Sequence, residues 1–183
     1  MKRIFPLYFT IFIGTGIFFT ALSSPEKEFL TQKEIAKIQD AQEIDLRIKI
    51  YMGAAALRLK AAEERLTGKE PEEGDPLELF TPEDMLDGYC RILKSVMYSL
   101  DDAFQKPGPD RERVGKALKV LKGSTEEMLK ELEVLKKIAE EKRKEELWDL
   151  ANKAIDITNG AHEGAEYGLS KQPEPPDKKA KGK

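Results

Sequence analysis

The only histidine of the chain, His162, lies in the segment Asn159–Gly168, which reads NGAHEGAEYG. Glu163 follows it directly, and Glu166 lies four residues later, on the same face of a helix. An imidazole and a carboxylate one turn apart can bind a metal ion, but a metal site in a helical bundle takes ligands from several helices. We therefore predict an ordinary histidine at the surface or boundary of the fold. A weak exposed metal site at His162 and Glu166 is the alternative.

The second side chain with potential covalent chemistry is Cys90, the only cysteine. A catalytic thiol requires a base beside it, and no pattern in the sequence brings Cys90 to His162. The 34 Asp and Glu residues offer many carboxylate pairs for acid–base catalysis, but none is distinguished by its position. We predict a non-enzymatic protein without a cofactor. Cys90 is expected to be buried, and an intermolecular disulfide is the alternative.

Three glycines of the same segment, Gly160, Gly164 and Gly168, are spaced by four and share one helical face. Each costs a helix about 1 kcal/mol relative to alanine, and the close approach of a second helix or a ring can offset that cost. The spacing predicts a close contact along this stripe. Early termination of the helix near Gly160 and a groove for a ligand or partner are the alternatives. Four rings are candidates for the contact: Tyr51, Tyr89, Tyr98 and Phe104.

The composition is that of a charge-rich helical protein, with 36% charged and 40% hydrophobic residues. The formal net charge of −3 argues against a general affinity for nucleic acid. Residues 170–183, SKQPEPPDKKAKGK, are rich in proline and lysine and are predicted to form a disordered basic tail. A solvated tail is the simplest interpretation, and adhesion to anionic polymer, lipid or nucleic acid is the alternative.

Residues 1–23 have the pattern of a secretory signal peptide. Lys2 and Arg3 precede a run without charge from residue 4 to residue 22, and Ala21 and Ser23 are small residues of the kind that a signal peptidase recognises. Cleavage after Ser23 predicts a periplasmic or secreted protein. The apolar run is close to the minimum length of a membrane span, so retention of residues 4–22 as an N-terminal anchor is the alternative.

The rest of the chain shows helical periodicity. A linker over residues 24–30 leads to a helical body over residues 31–169, with predicted helices at about 31–43, 45–67, 81–105, 110–140 and 144–168. Thr31 with Glu34 forms a capping box, and Thr81 and Asp110 are further N-cap residues. A heptad-like stripe predicts the core side of the fourth helix: Val114, Leu118, Leu121, Thr125, Met128, Leu132, Leu135 and Ala139.

Two of the predicted helix boundaries carry no proline or glycine. A bend at Asp45 separates a short helix from a long one, and one continuous helix is the alternative. An unbroken helix over residues 111–169 would be about 90 Å long, far longer than a domain of this size. We therefore predict a hairpin or sharp bend within residues 139–146, where the apolar stripe is interrupted.

Residues 30–51, LTQKEIAKIQDAQEIDLRIKIY, and 153–169, KAIDITNGAHEGAEYGL, resemble exported helical-bundle proteins that are grouped as domains of unknown function. The resemblance implies a fold and no activity. We predict an all-α protein, an up-and-down antiparallel bundle of four to five helices, that acts by binding or scaffolding in the cell envelope. A signal-anchored form of the same bundle and a small-ligand or metal carrier are the alternatives.

Overall fold

The computed structural model describes residues 28–106 and 110–172 of the chain. Five helices make up this part: α1 (Gln32–Asp40), α2 (Ile44–Leu66), α3 (Pro82–Gln105), α4 (Arg111–Glu141) and α5 (Glu145–Ser170). The all-α bundle that the sequence predicts is therefore confirmed. None of the described helices has the length and apolar character needed to cross a membrane.

Several sequence-based predictions fall outside the described residues. These are the signal peptide over residues 1–23, the first part of the 24–30 linker, and residues 173–183 of the tail. The start of the predicted tail is shifted, because Ser170 still belongs to α5 and the chain turns at Lys171 and Gln172.

The four long helices pack around one core in the cyclic order α2, α3, α5, α4, and α1 lies against α2. Arg113 in the first turn of α4 reaches Asp45 in the first turn of α2 at 3.2 Å, so these neighbours run parallel. Consecutive long helices are antiparallel in direction. However, α3 and α4 make few contacts although a short connection joins them, which places them across the diagonal of the bundle.

Side-chain caps mark three helix starts as the sequence predicts. Thr31 and Glu34 form a capping box, and so do Thr81 and Asp84. Asp110 accepts a hydrogen bond from the backbone amide of Arg113 at 3.0 Å. Each cap satisfies amide groups that have no partner within the helix.

The hairpin between α4 and α5 lies at residues 142–144, within the predicted interval. Arg143 has a positive φ of 54°. The amide of Lys144 bonds to the carbonyl of Ala139, and that of Arg143 to the carbonyl of Glu140, which are the two bonds of a Schellman C-cap. Because arginine occupies the position that glycine usually takes, composition alone does not mark this helix end.

The core is apolar and draws on all four long helices. Every residue of the heptad-like stripe predicted for α4 is buried. On α3 the buried side chains include Met85, Leu86, Tyr89, Cys90, Ile92, Leu93, Val96 and Leu100.

Candidate functional site

His162 lies at the seam between α4 and α5, with 19% of its side chain exposed. Its Nδ1 is 3.0 Å from the hydroxyl oxygen of Thr125, a fully buried residue of α4. The Thr125 hydroxyl lies 2.9 Å from the carbonyl of Leu121, to which it donates. The threonine oxygen is thus left to accept from the Nδ1–H of His162. The histidine therefore ties two helices together.

Glu166, the predicted metal-site partner, is engaged elsewhere. Its carboxylate lies 2.7 Å from the ammonium of Lys122, whose hydrogen bond lowers the pKa of Glu166. The same carboxylate is 3.7 Å from Nε2 of His162, and Glu163 is exposed on another side of the helix. Within the described residues, no group of three or more His, Cys, Asp or Glu side chains could hold a metal ion. His162 and Glu166 thus lie together without the further ligands that a metal site needs.

The predicted contact along the glycine stripe is wrong for two of its three residues. A methyl group added at Gly160 or Gly164 would meet no atom within 4 Å. At Gly168 it would lie 2.9 Å from Cδ1 of Leu118 and 3.6 Å from Cζ of Phe104, so a close contact exists there. Early termination is also wrong, because α5 continues to Ser170.

The helical repeat explains why only the last glycine of the stripe reaches the core. Four residues turn a helix by about 400°, so each step of four rotates the stripe by about 40°. Between Gly160 and Gly168 the direction changes by about 80°. Gly168 is buried against α3 and α4, whereas Gly160 and Gly164 are exposed.

Cys90 is buried in the core, as predicted. Burial raises the pKa of its thiol to about 11, which keeps the thiol protonated at neutral pH. A neutral thiol is a poor nucleophile and a poor metal ligand. Cys90 therefore acts as a small apolar side chain in the packing of α3.

A buried polar cluster that the sequence analysis missed connects α3, α4 and α5. The hydroxyl of Tyr89 lies 2.7 Å from that of Thr158 and 3.7 Å from the sulfur of Met128. Thr158 donates to the carbonyl of Ala154 at 2.6 Å, so Tyr89 donates to Thr158. Burial raises the pKa of Tyr89 and keeps its hydroxyl protonated. These side chains occupy the interior where a carrier protein of this architecture would hold its ligand.

Arg58 of α2 is a buried cation that is only 1% exposed. The apolar residues around it in the sequence give no indication that this cation is buried. Its two terminal nitrogens each lie 2.6 Å from one carboxylate oxygen of Glu34 in α1. It also donates to the carbonyl of Phe29 at 2.9 Å. The guanidinium of Arg91 in α3 lies 4.4 Å from the centre of the Phe29 ring. These contacts hold the start of the described chain against α2 and α3.

Four aromatic side chains are exposed in the described part of the chain, and all four belong to α3 and α5. Tyr98 is 76% exposed and Tyr167 is 67% exposed, while Phe104 and Trp148 are less so. Lys171 lies 5.2 Å from the centre of the Tyr167 ring. Tyr98, Phe104 and Tyr167 lie in the C-terminal halves of α3 and α5, which are neighbours, whereas Trp148 lies at the start of α5 beside Lys136 of α4.

Among the surface clefts of the described residues, two have volumes above about 500 Å³. One, of about 510 Å³, lies at the α4–α5 hairpin beside Arg143, Lys144 and Trp148. The other, of about 570 Å³, lies between the start of α1 and the linker that joins α2 to α3. Its apolar walls come from Leu30, Pro76, Leu77 and Phe80.

No protein-family model, curated protein or solved structure matches this chain. The resemblance to exported helical bundles therefore stays a prediction. Function has to be argued from the geometry of the bundle itself.

Proposed function

We propose that this chain is an exported, non-catalytic binding protein, and that its partner docks on the side formed by α3 and α5. The observation that carries the proposal is the placement of three of the four exposed aromatic side chains of the described residues, Tyr98, Phe104 and Tyr167, in the C-terminal halves of these two neighbouring helices. Tyrosine, tryptophan and phenylalanine are enriched in protein–protein interfaces, where their rings bury a large area at a small cost in conformational entropy.

The two helices suit this role because they are well fixed. The buried hydrogen bond between Tyr89 and Thr158 joins them near the middle of the bundle. Close to their C-terminal ends, Gly168 packs near the ring of Phe104. Rings presented by rigid helices lose less freedom on binding than rings on a mobile loop, which favours affinity.

Replacing both Tyr98 and Tyr167 with serine tests the docking side. In a pull-down from native envelope extract, we expect the amount of partner captured by the double variant to be at least about tenfold lower than the amount captured by the unchanged protein. Leu57→Ser is the matched control, since Leu57 is 55% exposed on α2. The control should retain the partner fully. Equal capture by the unchanged protein and the double variant would rule out this side as the binding surface.

Export is tested by the intact mass of the protein recovered from its native compartment. We expect the mass to lack residues 1–23, because the leader combines a basic start, an apolar run and a small-residue cleavage site. A mass that includes those residues would favour the membrane-anchored alternative, in which the bundle binds its partner at the membrane surface.

A further inference from the structure

The cleft between α1 and the α2–α3 linker, here called the linker groove, has a well-fixed apolar wall. It is lined by Leu30, Pro76, Leu77 and Phe80, and Leu77 is itself buried. The guanidinium of Arg65 donates to the carbonyl of Leu77, and the amide of Leu77 donates to Asp75 at 2.9 Å. With about 570 Å³, the groove is in the size range of ligand sites in proteins, roughly 300–1,000 Å³.

Carboxylates outnumber cations around the linker groove. Glu28 lines the groove, and Asp75 and Glu78 flank Pro76 and Leu77 in the sequence. Glu28 accepts a hydrogen bond from the side-chain amide of Gln32 at 2.9 Å, and Glu78 accepts from the backbone amide of Gly74 at 3.1 Å. Both donors are neutral, so neither hydrogen bond pairs its carboxylate with a cation, although the Arg65 guanidinium lies behind Leu77. Lys33 is the one cation among the described residues that line the groove.

An apolar wall with an acidic rim matches a segment in which prolines are followed by basic residues. The chain ends in such a segment, PEPPDKKAKGK, over residues 173–183. Proline-rich segments bind apolar, aromatic-containing grooves because little conformational entropy is lost on binding. Lysines following the prolines would meet the rim carboxylates. We propose that the linker groove binds the proline–lysine tail of a second copy of this chain.

The length of the tail determines whether it can bind the groove of the same molecule or only that of another copy. Gln172 lies beside Gly115 in the first turns of α4, at the end of the bundle where α3 also ends. The groove lies at the start of α3, whose 24 residues span about 36 Å. Pro176 is four residues beyond Gln172 and can reach at most about 14 Å from it. The prolines therefore reach only the groove of a neighbouring molecule.

The predicted assembly is head-to-tail. The groove and Gln172, the residue before the tail, lie at opposite ends of one bundle. Each copy therefore offers one groove and one tail, and the contact is heterologous. Heterologous contacts that do not close into a ring continue into open-ended chains. This self-association uses a different surface from the α3–α5 side and does not depend on the partner proposed for that side.

Sedimentation velocity on the exported protein tests the contact. We expect a weight-average sedimentation coefficient that rises with concentration and falls at higher salt, because the rim contacts are screened. A chain that stops after Gln172 should stay monomeric.

Charge reversal at the groove is the second test. Glu28→Lys with Glu78→Lys should lower the association constant at least about tenfold by replacing attraction with repulsion. Glu28 and Glu78 are both exposed, so the charge-reversed bundle should fold. Glu126→Lys with Glu133→Lys is the control, with the same change of charge on exposed positions of α4.

Mixing the two defective chains identifies the contact. The truncated chain has a groove and no tail, and the charge-reversed chain has a tail and a weakened groove. We expect the mixture to form a one-to-one complex that does not grow further. A monomeric mixture, or association of the charge-reversed chain equal to that of the control, would overturn the proposal. So would a truncation that abolishes binding to phosphatidylglycerol vesicles while self-association persists, which would assign the tail to an anionic surface.

Discussion

Replacing Arg58 with methionine is expected to lower the free energy of unfolding by about 3 kcal/mol, because it removes the buried cation of a partly buried ion pair. Methionine matches the apolar stem of arginine but donates no hydrogen bond. The carboxylate of Glu34 and the carbonyl of Phe29 would each lose the guanidinium group that they contact at 2.6 and 2.9 Å. Urea unfolding followed by circular dichroism measures the loss.

The weak packing of α1 determines which part of the protein unfolds first in the Arg58→Met variant. No residue of α1 is buried, so the helix has little apolar packing to hold it once Arg58 is gone. Hydrogen exchange should therefore show α1 opening before the four long helices. The double variant Arg58→Met with Glu34→Gln should recover part of the stability, because it removes the unpaired charge while glutamine keeps the capping box. A loss below about 1 kcal/mol in the single variant would contradict the assignment.

The same ion pair predicts a dependence on pH. Burial on its own raises the pKa of Glu34, but the hydrogen bonds from Arg58 and Thr31 outweigh it and hold the pKa below its usual 4.5. The folded state therefore binds the proton less readily than the unfolded state. The stability contributed by Glu34 is present above the usual pKa and is lost as the pH falls through the lower folded-state value. In urea unfolding at a series of pH values, the Glu34→Gln variant should not show this loss of stability at acidic pH.

Replacing Gly168 with leucine is expected to destabilise the bundle by about 1–3 kcal/mol, because even the first added carbon would lie 2.9 Å from Leu118. The same substitution at Gly164 should leave stability unchanged or raise it by up to about 1 kcal/mol. Nothing lies within 4 Å of a carbon added there, and leucine favours a helix more than glycine does. Both variants replace glycine with leucine on the same helix, so a difference in their stability reports the surroundings of the two positions.

Thermal unfolding of both variants, with Gly160→Ala as a third, measures the difference. Gly160→Ala should raise the melting temperature, since alanine adds helix propensity without a clash. If Gly164→Leu destabilises as much as Gly168→Leu, the exposed position of Gly164 would be incorrect. A stabilised Gly164 variant that no longer captures its envelope partner would show that the bare surface serves binding rather than packing.

Much of the fold follows from the sequence because the signals are local. The threonine and aspartate caps act within one helical turn, and the heptad-like stripe of α4 records which side meets the core. The hairpin at residues 142–144 was predictable from the limit that compactness places on helix length and from the interrupted apolar stripe. No glycine or proline marks it, because Arg143 adopts the backbone conformation that glycine usually provides.

The sequence by itself therefore determined the five helices, three of their N-caps and the apolar side of α4, because these depend on neighbours three or four residues away. The tertiary structure decided which polar residues are buried together. Arg58 and Glu34 are 24 residues apart, and Tyr89 and Thr158 are 69 apart, so no helical spacing connects them. It also decided the outcome at NGAHEGAEYG. Each four-residue step turns about 40° past a full turn, so the three glycines do not share one direction and only Gly168 reaches the core.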